Sequence, residues 1–220
     1  MTSISGERLP TAFANLPVFP LADIVLFPGI VLPLHVFEPR YQLLLRDCLA
    51  SHKVMAVACI DDDGEVDSNG NPRFARVGGA GLVIEHEVLA DGRSNLLLKG
   101  QCRVSLEELP FVSPYRRVSA LRLDDRLAPV ADSDRIALLS AATAFVTEIK
   151  RSDATFAFRP PYHLEPGAFA DICAHHLVVE GRARQSVLEV LDVADRVRLV
   201  TKVLSGQLNA MRRREGEEPN

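Results

Sequence analysis

The sequence predicts an α+β chain in which a mostly antiparallel sheet or small barrel, with one helix, precedes a small helical bundle. Between residues 54 and 123, short apolar runs are separated by Gly, Asp and Asn turn signals, without regular helices between them. Beyond residue 132, apolar residues repeat at helical spacing in four segments. With 220 residues, of which 47% are hydrophobic, the chain is long enough to bury one or two cores.

The N-terminal segment is predicted to form two short strands and a helix. Residues 16–21 and 30–36 are the strands, and Phe27-Pro28-Gly29 between them is a turn signal. Prolines inside both runs favour edge or bulged strands. Residues 38–50 have helical apolar spacing, and Pro39 suits a first helical turn.

The next part of the chain is predicted to be β structure. Asp91-Gly92 is a strong hairpin signal, and the polar segment 61–71 is predicted to be a loop. The strands are expected at 54–60, 74–89, 94–99, 101–109 and 115–123.

The C-terminal part is predicted to be helical. Three helices are expected at 133–150, 166–178 and 182–191, and Asp192, supported by Asp195, is expected to cap a long fourth helix. The apolar face of the first is predicted to hold Ile136, Leu139, Ala142, Phe145, Val146 and Ile149. The predicted organisation is a flexible start at 1–13, a β-rich subdomain at 14–123, a linker at 124–131, a helical bundle at 132–211 and a disordered tail at 212–220.

Charge and cysteine usage argue against several classes of protein. A net charge of -4 argues against a nucleic-acid partner, because such proteins are usually basic. We expect no membrane partner and a cytoplasmic location, because no long apolar span or signal peptide is recognisable. No cofactor or metal is expected, because the four cysteines are not clustered; each lies in an apolar run and is expected to be a buried free thiol: Cys48, Cys59, Cys102 and Cys173.

Five motifs, in order along the chain, resemble the N-terminal domain of Lon proteases. The first is the Leu-Pro, Pro-Leu and Phe-Pro-Gly series within residues 16–34. The others are Val77-Gly78-Gly79-Ala80, Asp91-Gly92, the run 96–104 with its Gly-Gln-Cys-Arg segment, and the helical segment 171–200. The resemblance covers residues 14–210, nearly the whole chain.

The resemblance implies a pseudobarrel related to the PUA fold, followed by a helical bundle. In full-length Lon this region recognises protein substrates and does not cleave them, so the chain resembles a stand-alone, non-catalytic module that binds polypeptide or a dedicated protein partner. No glycine is followed by lysine, so the phosphate-binding motif of the Lon ATPase is missing, and neither ATP hydrolysis nor the Lon peptidase mechanism is carried over. The alternative is an ATP-independent peptidase or hydrolase with an unrecognised site. RNA binding is a weaker third possibility, suggested by fold analogy alone. The sequence does not indicate an oligomeric state.

Two groups of residues are candidate polypeptide-binding surfaces. One surrounds the Phe-Pro-Gly turn and the end of the second strand, where apolar side chains could receive an extended chain: Phe27, Pro28, Val36 and Phe37. The other is the aromatic connector between the first two helices of the bundle: Phe156, Phe158, Arg159 and Tyr162. The alternative for both groups is a purely structural role. If the connector is the site, alanine at Phe158 or Arg159 is expected to weaken binding without unfolding the protein.

Three other groups are predicted to be structural. His35, in an apolar strand, is expected to be a hydrogen-bonded histidine of the barrel rather than a catalytic base. Asp171 and His175, four residues apart, are expected to form a polar pair within one helix rather than an acid–base pair. The acidic run Asp61-Asp62-Asp63 is expected to be a solvated loop, because its spacing is not that of a calcium-binding EF-hand.

Overall fold

The computed structural model describes residues 9–61, 65–67, 69–159, 161 and 163–217, with side chains through Arg213. The chain separates into two compact units, Met1–Leu123 and Asp124–Asn220. The strands of the first unit are β1 (Ala12–Leu21), β2 (Val31–Val36), β3 (Val54–Cys59), β4 (Val77–Val88), β5 (Ser94–Glu108) and β6 (Arg117–Leu123), and helix α1 (Pro39–Leu49) lies between β2 and β3. The second unit contains α2 (Asp132–Ser152), α3 (Pro166–Leu177), α4 (Gly181–Glu189) and α5 (Val193–Glu217).

The six strands form one mixed sheet in the order β2-β5-β4-β3-β1-β6, and β5 also pairs with β6. The α+β prediction is confirmed, and most strand pairs are antiparallel as expected. The pairing of β1 with β3 is parallel, because β2 and α1 together form the crossover that a parallel pair requires. Among these strands β2 pairs only with β5, so the sheet keeps an edge at β2.

Strand β5 is longer than the sequence predicts. The runs 94–99 and 101–109 were expected to be separate strands, yet Ser94–Glu108 is one strand of 15 residues. Gly100 lies inside it, in a position where a Cβ atom would be 2.1 Å from the Phe27 carbonyl oxygen. The glycine therefore marks a close approach of another backbone segment and not a strand end.

The first unit has two apolar core clusters, and one of them lies between the sheet and α1. Strand β2 alternates exposed and buried residues, and its buried side chains are Leu32, Leu34 and Val36. These pack with the helical residues Leu44, Leu45 and Cys48 in one apolar cluster. Strand β3 is buried along its whole length, as the continuous apolar run predicts.

In the second unit, helices α2, α3 and α4 pack around α5, which contacts each of them. Asp192 accepts a hydrogen bond from the Asp195 backbone N–H at 3.0 Å, which confirms the predicted cap of this helix. The predicted face of α2 is partly wrong: Ile136 is 64% exposed, and Leu138 is buried in its place. Helix α5 also continues through Glu217, beyond the predicted end of the bundle at 211.

Within the described ranges, no helix combines the length and apolar composition of a membrane span.

Candidate functional site

A groove runs along β5 on the outer face of the sheet, where β5 lies between β2 and β4. The strand register places three residues side by side in each of two rows. One row is His35, Asn95 and Glu87, and the other is Pro33, Leu97 and Glu85. Side chains from β5 form the floor, and those of β2 and β4 form the two walls. We call this groove the β5 trough.

The β5 trough has a volume of about 660 Å³. It is lined by the two rows and by the intervening residues Leu34, His86 and Leu96. Leu97 on its floor is half-buried, while Pro33 on one wall and Glu85 on the other are exposed. The trough therefore combines a floor formed by Leu97 and Asn95 with one acidic wall.

A β-bulge in β4 creates the acidic wall. Val83 lies opposite the buried Leu98, whereas Glu85 lies opposite Leu97 on the outer face, so Ile84 is an extra residue between them. Strict alternation from the buried Val83 would turn Glu85 and Glu87 toward the core. The bulge reverses that alternation and aligns both carboxylates with the floor of the trough. The sequence does not predict this site, because strict alternation along β4 would bury both carboxylates. The two glutamates at inward positions are the only signal of the bulge in the sequence.

The β2 wall is held by polar and aromatic contacts. His35 Nδ1 shares a hydrogen bond of 2.8 Å with Asn95 Oδ1, and its Nε2 lies 3.4 Å from Arg93 Nη1. The Arg93 guanidinium is itself paired with Asp91 at 2.6 Å. His35 is hydrogen-bonded, as the sequence predicts, and alternation along β2 places its side chain on the exposed face. Its hydrogen bond to Asn95 orients the imidazole across the trough.

The first predicted group of binding residues is divided between core and surface. Phe27 and Val36 are core residues, 0% and 2% exposed, and Pro28 is half-buried. Phe37, in contrast, is 61% exposed, and its ring stacks on His35 with 6.1 Å between centroids. Of this group, Phe37 borders the β5 trough, whereas the side chains of Phe27 and Val36 are too buried to contact a ligand.

The second predicted group lies in the helical unit, between α2 and α3. Phe156 and Phe158 are half-buried, and Phe158 packs against His176 with 5.0 Å between ring centroids. Arg159 is exposed, and Tyr162 lies outside the described residues. A separate apolar depression of about 200 Å³ lies among α2, α3 and α5 and includes Ile136 and Phe169, but neither phenylalanine of the connector lines it.

The helical unit also contains a buried charge cluster around Arg196. This residue is 0% exposed, and its guanidinium forms two hydrogen bonds with the Asp125 carboxylate, at 2.6 and 2.8 Å. Arg196 Nε lies 3.3 Å from the buried carboxylate of Asp171. The predicted linker at 124–131 is therefore anchored at its start, and Asp171 lies against a charged group of another helix.

Burial disfavours the charged forms of His175, Cys48 and Cys173. Burial lowers the pKa of His175 to about 4, with further lowering by the neighbouring charges of His176 and Arg184. All four cysteines are free and buried, as predicted, and burial raises the pKa of the Cys48 and Cys173 thiols to about 12. Such thiols are poor nucleophiles at neutral pH.

No group of three or more His, Cys, Asp or Glu side chains suited to a metal ion occurs among the residues with described positions. Asp62 and Asp63 of the predicted acidic loop lie outside those residues, whereas Asp61 is exposed.

The fold and the matched sequence define the class of protein. The family model of the ATP-dependent protease La (LON) substrate-binding domain matches residues 15–206, so the chain belongs to this family. The resemblance predicted from the motifs is thereby confirmed. The match is to the substrate-binding part of the protease.

Individual relatives and solved structures agree with this assignment. The chain is 30% identical over 209 residues to the Lon protease of Roseiflexus castenholzii, an alignment that covers 92% of this chain and 25% of that protein. It is 25% identical over 203 residues to Lon protease 2 of Bdellovibrio bacteriovorus, covering 90% of this chain and 25% of that protein. The chain thus spans about a quarter of the length of these relatives. The crystal structure of a Lon N-terminal domain protein from Xanthomonas campestris has the same fold, with a TM-score of 0.63 at 23% identity, covering 84% of this chain and 96% of that one.

Proposed function

We propose that this chain is a non-catalytic substrate-recognition module that holds extended or unfolded polypeptide in the β5 trough. The observation that supports the location is a groove with Leu97 on its floor beside the exposed ring of Phe37, in a domain of the LON substrate-binding family. Exposed apolar surface at a concave site is typical of an interaction surface.

The dimensions of the trough suit an extended chain. Its walls are two strand spacings apart, about 9.5 Å between backbones, and β5 alone forms the floor. One extended segment fits between such walls with side chains directed onto Leu97 and Pro33. A folded helix, about 10–12 Å across with its side chains, is too wide.

The direct test uses fluorescently labelled, unfolded casein without nucleotide, and measures anisotropy as protein is added. We expect saturable binding by the wild-type protein. The double variant Phe37→Ala/Leu97→Ala should bind roughly tenfold more weakly, because it loses about 1.5 kcal/mol of apolar contact. The matched control is Leu121→Ala, which removes an exposed leucine of β6. Leu121 lies opposite Ser105, eight residues along β5 from Leu97, so its removal should leave affinity unchanged.

The same assay compares the trough with the aromatic connector. If Phe158→Ala or Arg159→Ala weakens casein binding while Phe37→Ala/Leu97→Ala does not, the connector is the binding surface and the proposed location is wrong. Gel analysis of the casein tests the non-catalytic role, because fragments produced by repurified protein would identify a peptidase. Absence of both binding and fragments would contradict general polypeptide recognition and favour one dedicated protein partner.

A further inference from the structure

The β5 trough has an uneven distribution of charge. Glu85 and Glu87 are exposed on its β4 wall, and no lysine or arginine is among the residues that line it. The nearest arginine on the β2 side, Arg93, is engaged by Asp91, and Lys99 lies in the next row, opposite Val31. Among the described residues, neither Glu85 nor Glu87 has an ion-pair partner within 4 Å. The two carboxylates therefore make the lining acidic.

The two carboxylates are placed to share one cation. They are two residues apart on the same face of β4, which corresponds to about 6.6 Å along the strand. An ammonium or guanidinium group between them would contact both. The concave surface concentrates their field, and two like charges on one wall repel each other until a cation enters.

Apolar and acidic features lie side by side in one row. Glu85, Leu97 and Pro33 are consecutive neighbours across the three strands, so a basic residue at the β4 wall would have apolar contacts next to it. We infer that the β5 trough selects extended polypeptide segments in which a lysine or arginine lies close to an apolar residue, and that it disfavours acidic segments. This inference rests on the proposed polypeptide-binding function and adds the class of segment that is recognised.

The test uses two short fluorescein-labelled peptides with the same leucines in a Gly/Ser background, one with lysines and the other with glutamates. We expect the wild-type protein to bind the lysine peptide several-fold more tightly, and this preference should shrink as salt is raised. In the variant Glu85→Gln/Glu87→Gln, affinity for the lysine peptide should fall about three- to tenfold, because exposed ion pairs contribute modest energies. The glutamate peptide should bind no more weakly than before.

The matched control is Glu107→Gln, which neutralises another exposed carboxylate of the same sheet, ten residues along β5 from Leu97. It should leave the affinity for both peptides unchanged. Circular dichroism melting curves should show that all glutamine variants remain folded, since the replaced side chains are exposed.

The outcomes separate this inference from the proposed function. Equal affinity for the two peptides, with casein binding intact, overturns the inference and leaves the proposed function standing. Failure of the wild-type protein to bind casein or either peptide overturns both. A change in sedimentation coefficient for Glu85→Gln/Glu87→Gln without loss of lysine-peptide binding would show that a second copy of the chain occupies the trough, and would also overturn the inference.

Discussion

At the scale of single residues, the glycines of β4 and β5 permit a loop to lie directly on the sheet. A Cβ atom at Gly79 would be 2.1 Å from the Leu26 carbonyl oxygen, and one at Gly100 would be 2.1 Å from the Phe27 carbonyl oxygen. Both distances are too short for any side chain. The backbone of the loop before β2 therefore packs where side chains would otherwise stand, and this contact fixes the buried ring of Phe27.

We predict that Gly79→Ala destabilises the protein by about 3 kcal/mol or more, because the added methyl collides with backbone that cannot rotate away. The measurement is urea unfolding followed by far-UV circular dichroism. Gly206→Ala is the control, because nothing lies within 4 Å of a Cβ atom at that position in α5. That change should stabilise the helix by about 0.5–1 kcal/mol. Equal unfolding midpoints for the two variants would contradict the close approach.

At the scale of elements, Arg196 joins helices α3 and α5 to the segment that precedes α2. Its guanidinium binds Asp125 of that segment and lies against Asp171 of α3. The segment is further held by a hydrogen bond from the Arg126 N–H to the Leu191 carbonyl, at 2.9 Å. A Cβ atom at Gly167 would be 2.8 Å from Arg196 Nη2. The position at the start of α3 therefore needs a residue without a side chain, so that the guanidinium can pack against the helix.

We predict that Arg196→Met destabilises the helical unit by about 3–5 kcal/mol, because the carboxylate of Asp171 stays buried without its cation. The double variant Arg196→Met/Asp171→Leu should be more stable than the single variant, since no buried charge is then left uncompensated on α3. Arg198→Met is the matched control, because Arg198 is exposed and pairs with Asp195. Its removal should cost less than about 1 kcal/mol. A single variant no less stable than this control in urea unfolding would refute the role of the cluster.

At the scale of the whole molecule, every cysteine of the chain is buried. Cys48 of α1 and Cys102 of β5 belong to the two apolar clusters of the first unit, whereas Cys59 lies in β3 and Cys173 in α3. The pKa of about 12 for Cys48 and Cys173 leaves on the order of one thiol in 10⁴ as thiolate at mildly alkaline pH. Reaction of these thiols with a reagent therefore requires local or global unfolding that exposes them to solvent.

We predict that native protein reacts slowly with a chromogenic disulfide reagent and that four equivalents react at once after denaturation. The measurement is the time course of absorbance with and without denaturant. In the native protein, the rate should rise for Gly79→Ala and Arg196→Met in proportion to their loss of stability. Immediate reaction of any native thiol would contradict complete burial.

The sequence by itself determined the fold class, the two units and the family. Turn signals, apolar periodicity and five ordered motifs are local in the chain, so no tertiary information was needed to recognise them. The same local signals located α1, the continuous burial of β3 and the Asp192 cap, because each depends on residues only a few positions apart.

Only the tertiary structure decided where a polypeptide could bind. Phe27 is buried where its loop lies on Gly100, a residue distant in the chain, whereas Phe37 is exposed, and both residues have the same apolar character in the sequence. The acidic wall depends on a bulge that reverses the alternation of β4, and the trough depends on β5 pairing with two strands that are distant in the chain. Such pairings are set by long-range packing, whose partners no short stretch of sequence identifies.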